Sequence, residues 1–223
     1  MSSTRRTALI FGVLFLATFV FSIGAVILYN PVLHPAKFMA GTGGDTRVRL
    51  GLFFEVLLII ANIGTAVVVF PILRRQNEIL SLGYVTARLA ECTFIAIGIV
   101  SLLAVVTLRQ KAAGGDAGSL LTDAKSLVAV RDWTFVLGPG FVVGVGNGLI
   151  LGYLMYRSGL VPRVIPLMGL IGAPLLVRLR LPDACTLICA EMLSGLGLIL
   201  RVWANMEPVP ATVRISTLRL GAK

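Results

Sequence analysis

The chain has 223 residues, of which 57% are hydrophobic and only 13% are charged, and its mean hydropathy is +0.94. Soluble domains carry about 25% charged residues, so this composition excludes a soluble catalytic domain and indicates a membrane protein. The net charge of +10 comes from basic residues scattered singly or in pairs, without the cationic stripe of a nucleic-acid-binding surface, and lipid headgroups are the expected counter-charge.

Apolar runs bounded by charged residues, proline or glycine predict six membrane-spanning helices, the last of which is the weakest. The six runs are 7–29, 50–73, 82–107, 133–156, 162–177 and 184–204. The connections 30–49 and 109–132 contain prolines or paired glycines together with charges, and we expect both to be exposed loops. The predicted fold is an all-α, polytopic transmembrane helix bundle of about six spans, in one domain over 1–205 with a loose tail over 206–223.

The N-terminus begins with Arg5 and Arg6 before the first apolar run. This arrangement resembles a signal peptide only superficially, because the run is too long and lacks a convincing cleavage site. We therefore expect a retained first span with the N-terminus in the cytoplasm. Arg74 and Arg75, in a tight turn, favour the same orientation, although basic residues are divided almost equally between the two sides.

Two ionisable residues, Arg88 and Glu91, interrupt the third apolar run. Helical residues three apart share one face, so these side chains are predicted to pair within their own helix. An unpaired charge at the bilayer centre costs about 2.5–3.5 kcal/mol on insertion scales. Pairing therefore explains why both residues are tolerated there.

The second run contributes Asn62 and Glu55 to the same region. Asn62 lies 14 residues before Gln76, in the turn between the two runs, and Glu91 lies 15 residues after it. Antiparallel helices keep equal counts at equal depth, so the Asn62 amide is predicted to bond to the Glu91 carboxylate. Glu55 lies two turns from Asn62 on the same face and has no basic neighbour on its own helix. We therefore expect Glu55 to be the least compensated residue and the best candidate to bind and release a proton.

This buried polar cluster has two interpretations, and the sequence leaves both open. Glu55, Asn62, Arg88 and Glu91 line a polar pathway, a proton relay or a substrate site, or they form an ion pair and hydrogen bonds that fix the helix register.

The fourth run contains four glycines at intervals of four residues: Gly140, Gly144, Gly148 and Gly152. Small residues at this spacing are typical of a groove where another helix packs closely. Asn147 lies beside the groove and is expected to bond across the bundle. The segment Gly138–Gly140, with a proline at its centre, is expected to kink or start the helix.

The sequence has no positive signal for catalysis, a cofactor or a metal. Cys92, Cys185 and Cys189 lack the spacing of a disulfide framework or a metal site, and we interpret them as small apolar residues. The single histidine, His34, is predicted to lie in a loop. No hydrolase, metalloprotease, phosphate-loop or heme-attachment motif is present.

Four strings together resemble a family of bacterial integral-membrane proteins known as domain of unknown function 4386. The strings are RRTALIFGVLFLATFVFSI, FPILRRQNEILSLGYVTARLAE, RDWTFVLGPG and YRSGLVPRVIPLMGLIGAP. The resemblance covers about residues 5–174 and implies a protein of the bacterial cytoplasmic membrane with about six helices, without an assigned activity. After Pro174 the pattern departs, because Arg178, Arg180 and Asp183 interrupt the apolar run.

Two functions fit these observations. The first is small-molecule or proton-coupled transport through the buried polar cluster. The second is a non-catalytic role in binding partners or supporting envelope assembly. We expect the lipid bilayer as surroundings, a membrane-protein partner or a second copy of the chain as partner, and no nucleic acid.

Overall fold

The computed structural model describes residues 3–41, 44–112, 117–158, 166–167 and 170–171. The secondary structure in these ranges is entirely helical, which confirms the predicted all-α class. The helices are α1 Ser3–Tyr29, α2 Pro35–Ala40, α3 Asp45–Leu73, α4 Glu78–Ala112, α5 Ala117–Phe135 and α6 Gly152–Ser158. A 3-10 turn, Asn30–Leu33, lies between α1 and α2, and two π-helical segments, Val136–Val142 and Gly144–Leu151, join α5 to α6.

Four helical stretches are long and apolar enough to cross a membrane. They are Leu9–Leu33, Asp45–Leu73, Glu78–Lys111 and Gly118–Arg157. The shortest has 25 residues and is about 37 Å long, which exceeds the hydrocarbon thickness of about 30 Å. These stretches correspond to the first four predicted spans, and the first begins two residues later than predicted. The predicted spans 162–177 and 184–204 and the domain boundary at residue 205 lie outside the described residues, apart from four positions in the fifth span.

The connection 109–132 was predicted to be a loop, and that prediction is wrong. Helix α4 continues to Ala112 and α5 begins at Ala117. The reason is an amphipathic face, since the buried residues Ala124, Val128 and Arg131 follow the i, i+4, i+7 spacing of a helix that packs on one side. Helix α5 packs on α4, so its other charged residues lie on a helix rather than in a loop.

The connection 30–49 is also more ordered than predicted. It contains the 3-10 turn and α2, which bury Val32 and Phe38. Helix α3 begins four residues earlier than Arg49, with Asp45 in its first turn, where a negative charge interacts favourably with the helix dipole. Arg109 near the end of α4 donates to Asp45 Oδ1 at 2.8 Å and to the Gly41 carbonyl at 2.6 Å, and thereby ties the connection to α4.

The outer surface of the described helices is apolar, and several buried positions are polar. On α1, large apolar side chains are exposed at the helical spacing of one face: Leu9, Val13, Leu16, Val20, Ile23 and Ile27. By contrast, ten polar or charged side chains are buried inside the bundle: Thr18, Glu55, Asn62, Thr65, Ser81, Arg88, Glu91, Ser101, Arg131 and Thr134. Burying polar groups while exposing apolar ones suits hydrocarbon rather than water as the solvent.

Consecutive long helices pack as neighbours: α1 on α3, α3 on α4 and α4 on α5. The turn between α3 and α4 brings them antiparallel, and Asn77 Oδ1 accepts from the Leu80 amide at 3.0 Å as a cap of α4. We call the end of the bundle that carries Asp45 and Arg109 the Asp45 surface, and the end that carries the turn at Arg74 the Arg74 surface.

Candidate functional site

Two clusters of buried charged residues lie at different depths along α3. Asn62 is 13 residues from Arg49 and 12 residues from Arg74, or about 20 and 18 Å along the helix, so it lies near the middle of the span. Glu55 is only six residues from Arg49, about 9 Å. One cluster is therefore central and the other lies closer to the Asp45 surface.

The central cluster, which we call the two-helix cluster, comprises Asn62 of α3 with Tyr84, Arg88 and Glu91 of α4. Arg88 Nη1 donates to Glu91 Oε2 at 2.7 Å and to Asn62 Oδ1 at 3.4 Å. Asn62 Nδ2 donates to Glu91 Oε1 at 3.0 Å, and Arg88 Nε donates to the Tyr84 hydroxyl at 3.3 Å. Each carboxylate oxygen of Glu91 thus has a donor, and the closed ring of bonds offsets the burial of both charges.

Both contacts predicted for these residues are present. Arg88 and Glu91 pair within one helix, and Asn62 lies level with Glu91, as the residue count across the turn predicted. Cys92 is buried, and its Sγ lies 3.8 Å from the Ile59 carbonyl of α3. Cys185 and Cys189 lie outside the described residues.

The second cluster, which we call the three-helix cluster, comprises Tyr29 of α1, Glu55 of α3 and Arg131 of α5. Arg131 Nη2 donates to Glu55 Oε1 at 3.0 Å and to the Tyr29 hydroxyl at 2.5 Å. All three side chains are buried. The guanidinium also lies over the rings of Tyr29 and Phe135, 5.4 and 5.0 Å from their centroids, which adds cation–π attraction in a desolvated setting.

Two glycines create the space in which the three-helix cluster forms. A Cβ at Gly51 of α3 would lie 2.9 Å from Leu28 Cβ and 3.0 Å from the Tyr29 backbone nitrogen, so Gly51 lets the end of α1 approach one turn before Glu55. A Cβ at Gly98 of α4 would lie 2.9 Å from Arg131 Cδ. Since the Arg131 side chain lies against this position, a larger residue there would displace it.

The expectation that Glu55 lacks a close basic partner is wrong, because Arg131 pairs with it. This arginine lies 76 residues away on a stretch that was predicted to be a loop, and Tyr29 is a further member of the cluster that the sequence does not predict. The signal that could have revealed Arg131 is its place in the buried i, i+4, i+7 face of α5. For Tyr29, the sequence offers no comparable signal, because it ends the first apolar run without any special spacing.

The ion pair of the three-helix cluster is incomplete. Glu55 Oε2 and Arg131 Nε are buried and have no hydrogen-bond partner within the described part of the chain. An unpaired buried polar atom costs about 1–3 kcal/mol, so this cluster differs from the two-helix cluster, whose carboxylate has both oxygens paired. Glu55 thus keeps one acceptor, and Arg131 one donor, without a partner among the described residues.

An apolar layer lies between the two clusters. On α3, Leu58 falls between Glu55 and Asn62 on one helix face, and on α4, Ile95 falls between Glu91 and Gly98. Leu58 and Ile95 are both buried and belong to the same apolar core cluster. The clusters are thus two polar layers, about 10 Å apart along the helices, with an apolar layer between them.

The glycine-rich stretch packs against α4, partly through glycines outside the four-residue repeat. Gly144, Gly148 and Gly152 are buried, but a Cβ at Gly140 would meet only a carbonyl of its own helix, at 3.7 Å. Close approaches to α4 occur at other positions in the same helix: a Cβ at Gly138 would lie 2.6 Å from Phe94 Cβ, and one at Gly146 2.8 Å from Ala87 Cβ.

A four-residue spacing does not match the helical turn, so the stripe of glycines winds around the helix and its ends face different neighbours. Gly152 faces Pro166 and Leu170 rather than α4. Of the two expectations for Gly138–Gly140, a kink or a helix start, the start is not observed, because the chain continues there as a π-helical segment. Asn147 Oδ1 is buried, and among the described residues it has no hydrogen-bond partner, so the bond expected across the bundle is not observed.

Chemically, the described site is made of paired opposite charges. Within the ranges that the structure covers, no three His, Cys, Asp or Glu side chains lie together as metal ligands. Each of the two carboxylates instead accepts from an arginine.

Comparison of the chain with curated proteins and with solved structures found no match. The sequence does match the family described as Domain of unknown function (DUF4386) over residues 10–205. The matched region includes every residue of both clusters and, apart from Leu9, all four helical stretches that are long and apolar enough to cross a membrane. The chain therefore belongs to the DUF4386 family.

Proposed function

We propose that this protein carries a proton or a small polar solute through the membrane and that the three-helix cluster is its binding site. The observation that carries the proposal is a buried ion pair in which both partners keep a polar atom unpartnered within the described residues, Glu55 Oε2 and Arg131 Nε. Ionisable groups that face the interior of a membrane bundle commonly mark ion and proton pathways.

In this function, Glu55 exchanges one partner for another. With Arg131 bound, its carboxylate is compensated by one guanidinium bond. A proton, or a solute with an N–H or O–H donor, competes for the carboxylate and leaves Arg131 held by Tyr29 and the two aromatic rings. Tyr29 and Phe135 thus stabilise the cation while its carboxylate partner is occupied.

A second function is favoured by the two-helix cluster. Its hydrogen bonds are mutually satisfied, and Leu58 and Ile95 separate it from the other cluster. Closed networks of this kind can fix helix register, as expected for a non-catalytic membrane protein that binds a partner or supports envelope assembly. The partner would then be another membrane protein or a second copy of this chain.

The discriminating experiment compares the wild-type protein with Glu55→Gln in vesicles that contain a pH-sensitive dye. The matched control is Glu78→Gln, the same change at a side chain that is 77% exposed. We expect proton flux under an imposed gradient from the wild type and from Glu78→Gln, and its loss in Glu55→Gln. If the wild type and Glu55→Gln are equally silent under every gradient while Glu55→Gln remains folded, the second function is the better account.

The proposal places the protein in a bacterial cytoplasmic membrane with its N-terminus in the cytoplasm, and includes neither catalysis nor a bound cofactor. Arg74 and Arg75 then lie on the cytoplasmic side. A reporter fused after Arg75 should be cytoplasmic, and one fused near Gly115 should be external. The opposite labelling would reverse the orientation.

A further inference from the structure

We propose that four arginines at the Arg74 surface bind the phosphate of an anionic phospholipid. We call them the four-arginine group: Arg6, Arg74, Arg75 and Arg157. One bound headgroup joins three parts of the bundle, namely the start of α1, the turn between α3 and α4, and the end of α6. The inference goes beyond the proposed function and does not depend on transport.

The helix register brings Arg6 to the depth of Arg74. Helix α1 packs antiparallel on α3, and a Cβ at Gly64 of α3 would lie 3.1 Å from Leu14 Cδ1 of α1. Antiparallel helices keep equal counts at equal depth, so Arg6, eight residues before Leu14, is level with the position eight residues after Gly64. That position is residue 72, which lies two residues before Arg74.

The register of the last described helix brings Arg157 to the same turn. The stretch 136–157 runs antiparallel to α4, and a Cβ at Gly83 of α4 would lie 3.6 Å from Ile150 Cδ1. Arg157 lies seven residues after Ile150, and residue 76 lies seven residues before Gly83. Arg157 is therefore about level with the turn that follows α3.

One apolar core cluster supports all the segments that carry the four-arginine group. Leu73, directly before Arg74, and Leu154, one turn before Arg157, are both fully buried in this cluster. Phe11, near the start of α1, packs against the same cluster. The arginines thus come from different parts of the sequence but share one packed base, which exists only in the folded bundle.

The charge and depth of the four-arginine group suit a lipid phosphate. All four side chains are exposed, and Glu78 is the one acidic residue that the described ranges place at this end, in an exposed 4.0 Å pair with Arg74 Nε that contributes little. Arg74 lies about 18 Å from Asn62 along α3, beyond a hydrocarbon half-thickness of about 15 Å and within the headgroup region. Guanidinium groups bind phosphate there through two parallel hydrogen bonds.

The Asp45 surface is also basic, but it engages its arginines within the protein. Arg109 donates to Asp45 and lies 4.3 Å from the ring centroid of Phe38. Arg47 Nη2 donates to the Ile27 carbonyl at 3.1 Å. These contacts occupy guanidinium groups that a phosphate would otherwise bind. The arrangement of the arginines, rather than the total charge, therefore favours the Arg74 surface.

The test measures the unfolding temperature of the purified protein in phosphatidylcholine-containing micelles as phosphatidylglycerol is added. We expect the wild type to unfold at a higher temperature, because a ligand that binds only the folded bundle stabilises it. In Arg74→Gln, Arg75→Gln, the phosphatidylglycerol concentration for half of the maximal shift should rise by at least about tenfold. Arg157→Gln, on another helix, should raise it by about fivefold.

The matched control is Arg49→Gln, Lys111→Gln, which removes the same charge from exposed positions of the Asp45 surface and should leave that concentration unchanged. Two further additions to the wild type, phosphatidylcholine and inorganic phosphate, should not raise the unfolding temperature. Equal stabilisation by phosphatidylcholine would overturn recognition of a negative headgroup. Equal stabilisation by inorganic phosphate would overturn the lipid as the ligand and indicate a site for free phosphate.

The proposal also fails if the control loses as much affinity as Arg74→Gln, Arg75→Gln, or if Arg157→Gln binds phosphatidylglycerol as the wild type does. Should the double variant fail to fold, Arg157→Gln decides alone, because each variant is compared with itself before and after the lipid is added. A wild type that is silent in the dye assay but gains stability from phosphatidylglycerol would contradict transport and leave the lipid site intact.

Discussion

The two buried ion pairs are assembled from very different distances along the chain. In the two-helix cluster, Arg88 and Glu91 are three residues apart on one helix, and Asn62 completes the ring from its neighbour. In the three-helix cluster, Glu55 and Arg131 are 76 residues apart, and their contact depends on α1, α3, α4 and α5 all being in place. The first pair needs one helix to exist, whereas the second needs the whole bundle.

This difference indicates different roles for pairs of equal charge. The charges of a pair within one helix remain compensated when that helix moves relative to its neighbours. A pair between helices changes its geometry when they move, and it retains unpartnered atoms at which a ligand could compete. A change of helix packing would therefore alter the charge balance at Glu55 more than at Glu91.

The largest expected loss of stability follows from replacing one of the two buried arginines. Arg131→Met leaves Glu55 buried without its cation and should lower the free energy of unfolding by about 3–5 kcal/mol. Arg88→Met should cost less, because Glu91 retains the Asn62 amide. Unfolding in mixed detergent micelles measures both. Arg74→Met, at a side chain that is 62% exposed, is the control and should change stability by less than about 1 kcal/mol. Equal losses for Arg131→Met and Arg88→Met would contradict the comparison.

Double variants test whether each pair is a unit and whether the clusters are independent. Combining Arg88→Met with Glu91→Leu should recover much of the single losses, with a coupling of about 0.5–3 kcal/mol. Combining Arg88→Met with Glu55→Leu joins sites about 10 Å apart and should be additive within about 0.5 kcal/mol. The same unfolding assay measures both cycles. Strong coupling across the apolar layer would show that the clusters act as one network.

Two glycine-to-alanine substitutions in α4 test whether the three-helix cluster depends on the space at Gly98. Gly98→Ala should lower stability by about 1–3 kcal/mol, because its Cβ would lie 2.9 Å from Arg131 Cδ. Gly83→Ala is the control, since its Cβ would lie at an ordinary 3.6 Å from Ile150 Cδ1. Thermal unfolding of the two purified variants compares them directly. A Gly98→Ala protein as stable as Gly83→Ala would show that Arg131 does not depend on this space.

The smallest effect compares two buried tyrosine hydroxyls. Tyr29→Phe removes a 2.5 Å bond to Arg131, and Tyr84→Phe removes a 3.3 Å bond to Arg88. We expect Tyr29→Phe to cost about 1 kcal/mol and Tyr84→Phe less, because longer hydrogen bonds are weaker. Both variants keep the aromatic ring near its arginine. The free energies of unfolding of the two variants test this prediction. A larger loss of stability for Tyr84→Phe than for Tyr29→Phe would contradict it.

The sequence predicts the contacts of the two-helix cluster but not those of the three-helix cluster. The Arg88–Glu91 pair could be predicted because three-residue spacing on a helix fixes the contact, and Asn62 because a short turn keeps the residue count across two helices. The Glu55–Arg131 contact could not, because nothing local links residues 76 apart. The charged residues on the exposed side of α5 also led to the prediction of a loop there, although the other side of the helix is apolar and buried.

Glycine positions show a related limit. The regular spacing of Gly140, Gly144, Gly148 and Gly152 was visible in the sequence, but spacing does not say which neighbour a residue faces. Gly51 and Gly98 belong to no repeat, yet they open the space for the three-helix cluster. Their role depends on the side chains opposite, Leu28 and Arg131, and so on the assembled bundle.

The separation of Glu55 from Arg131 also sets an order of events during biosynthesis. Ribosomes add about 5–20 residues per second, so the arginine is made about 4–15 s after the glutamate that it neutralises. Arg88 and Glu91 are made almost together and enter the bilayer already matched. The nascent α1–α3 hairpin, by contrast, must hold Glu55 protonated or close to the headgroups until α5 arrives, which makes docking of α5 the step that completes the charge balance of the bundle.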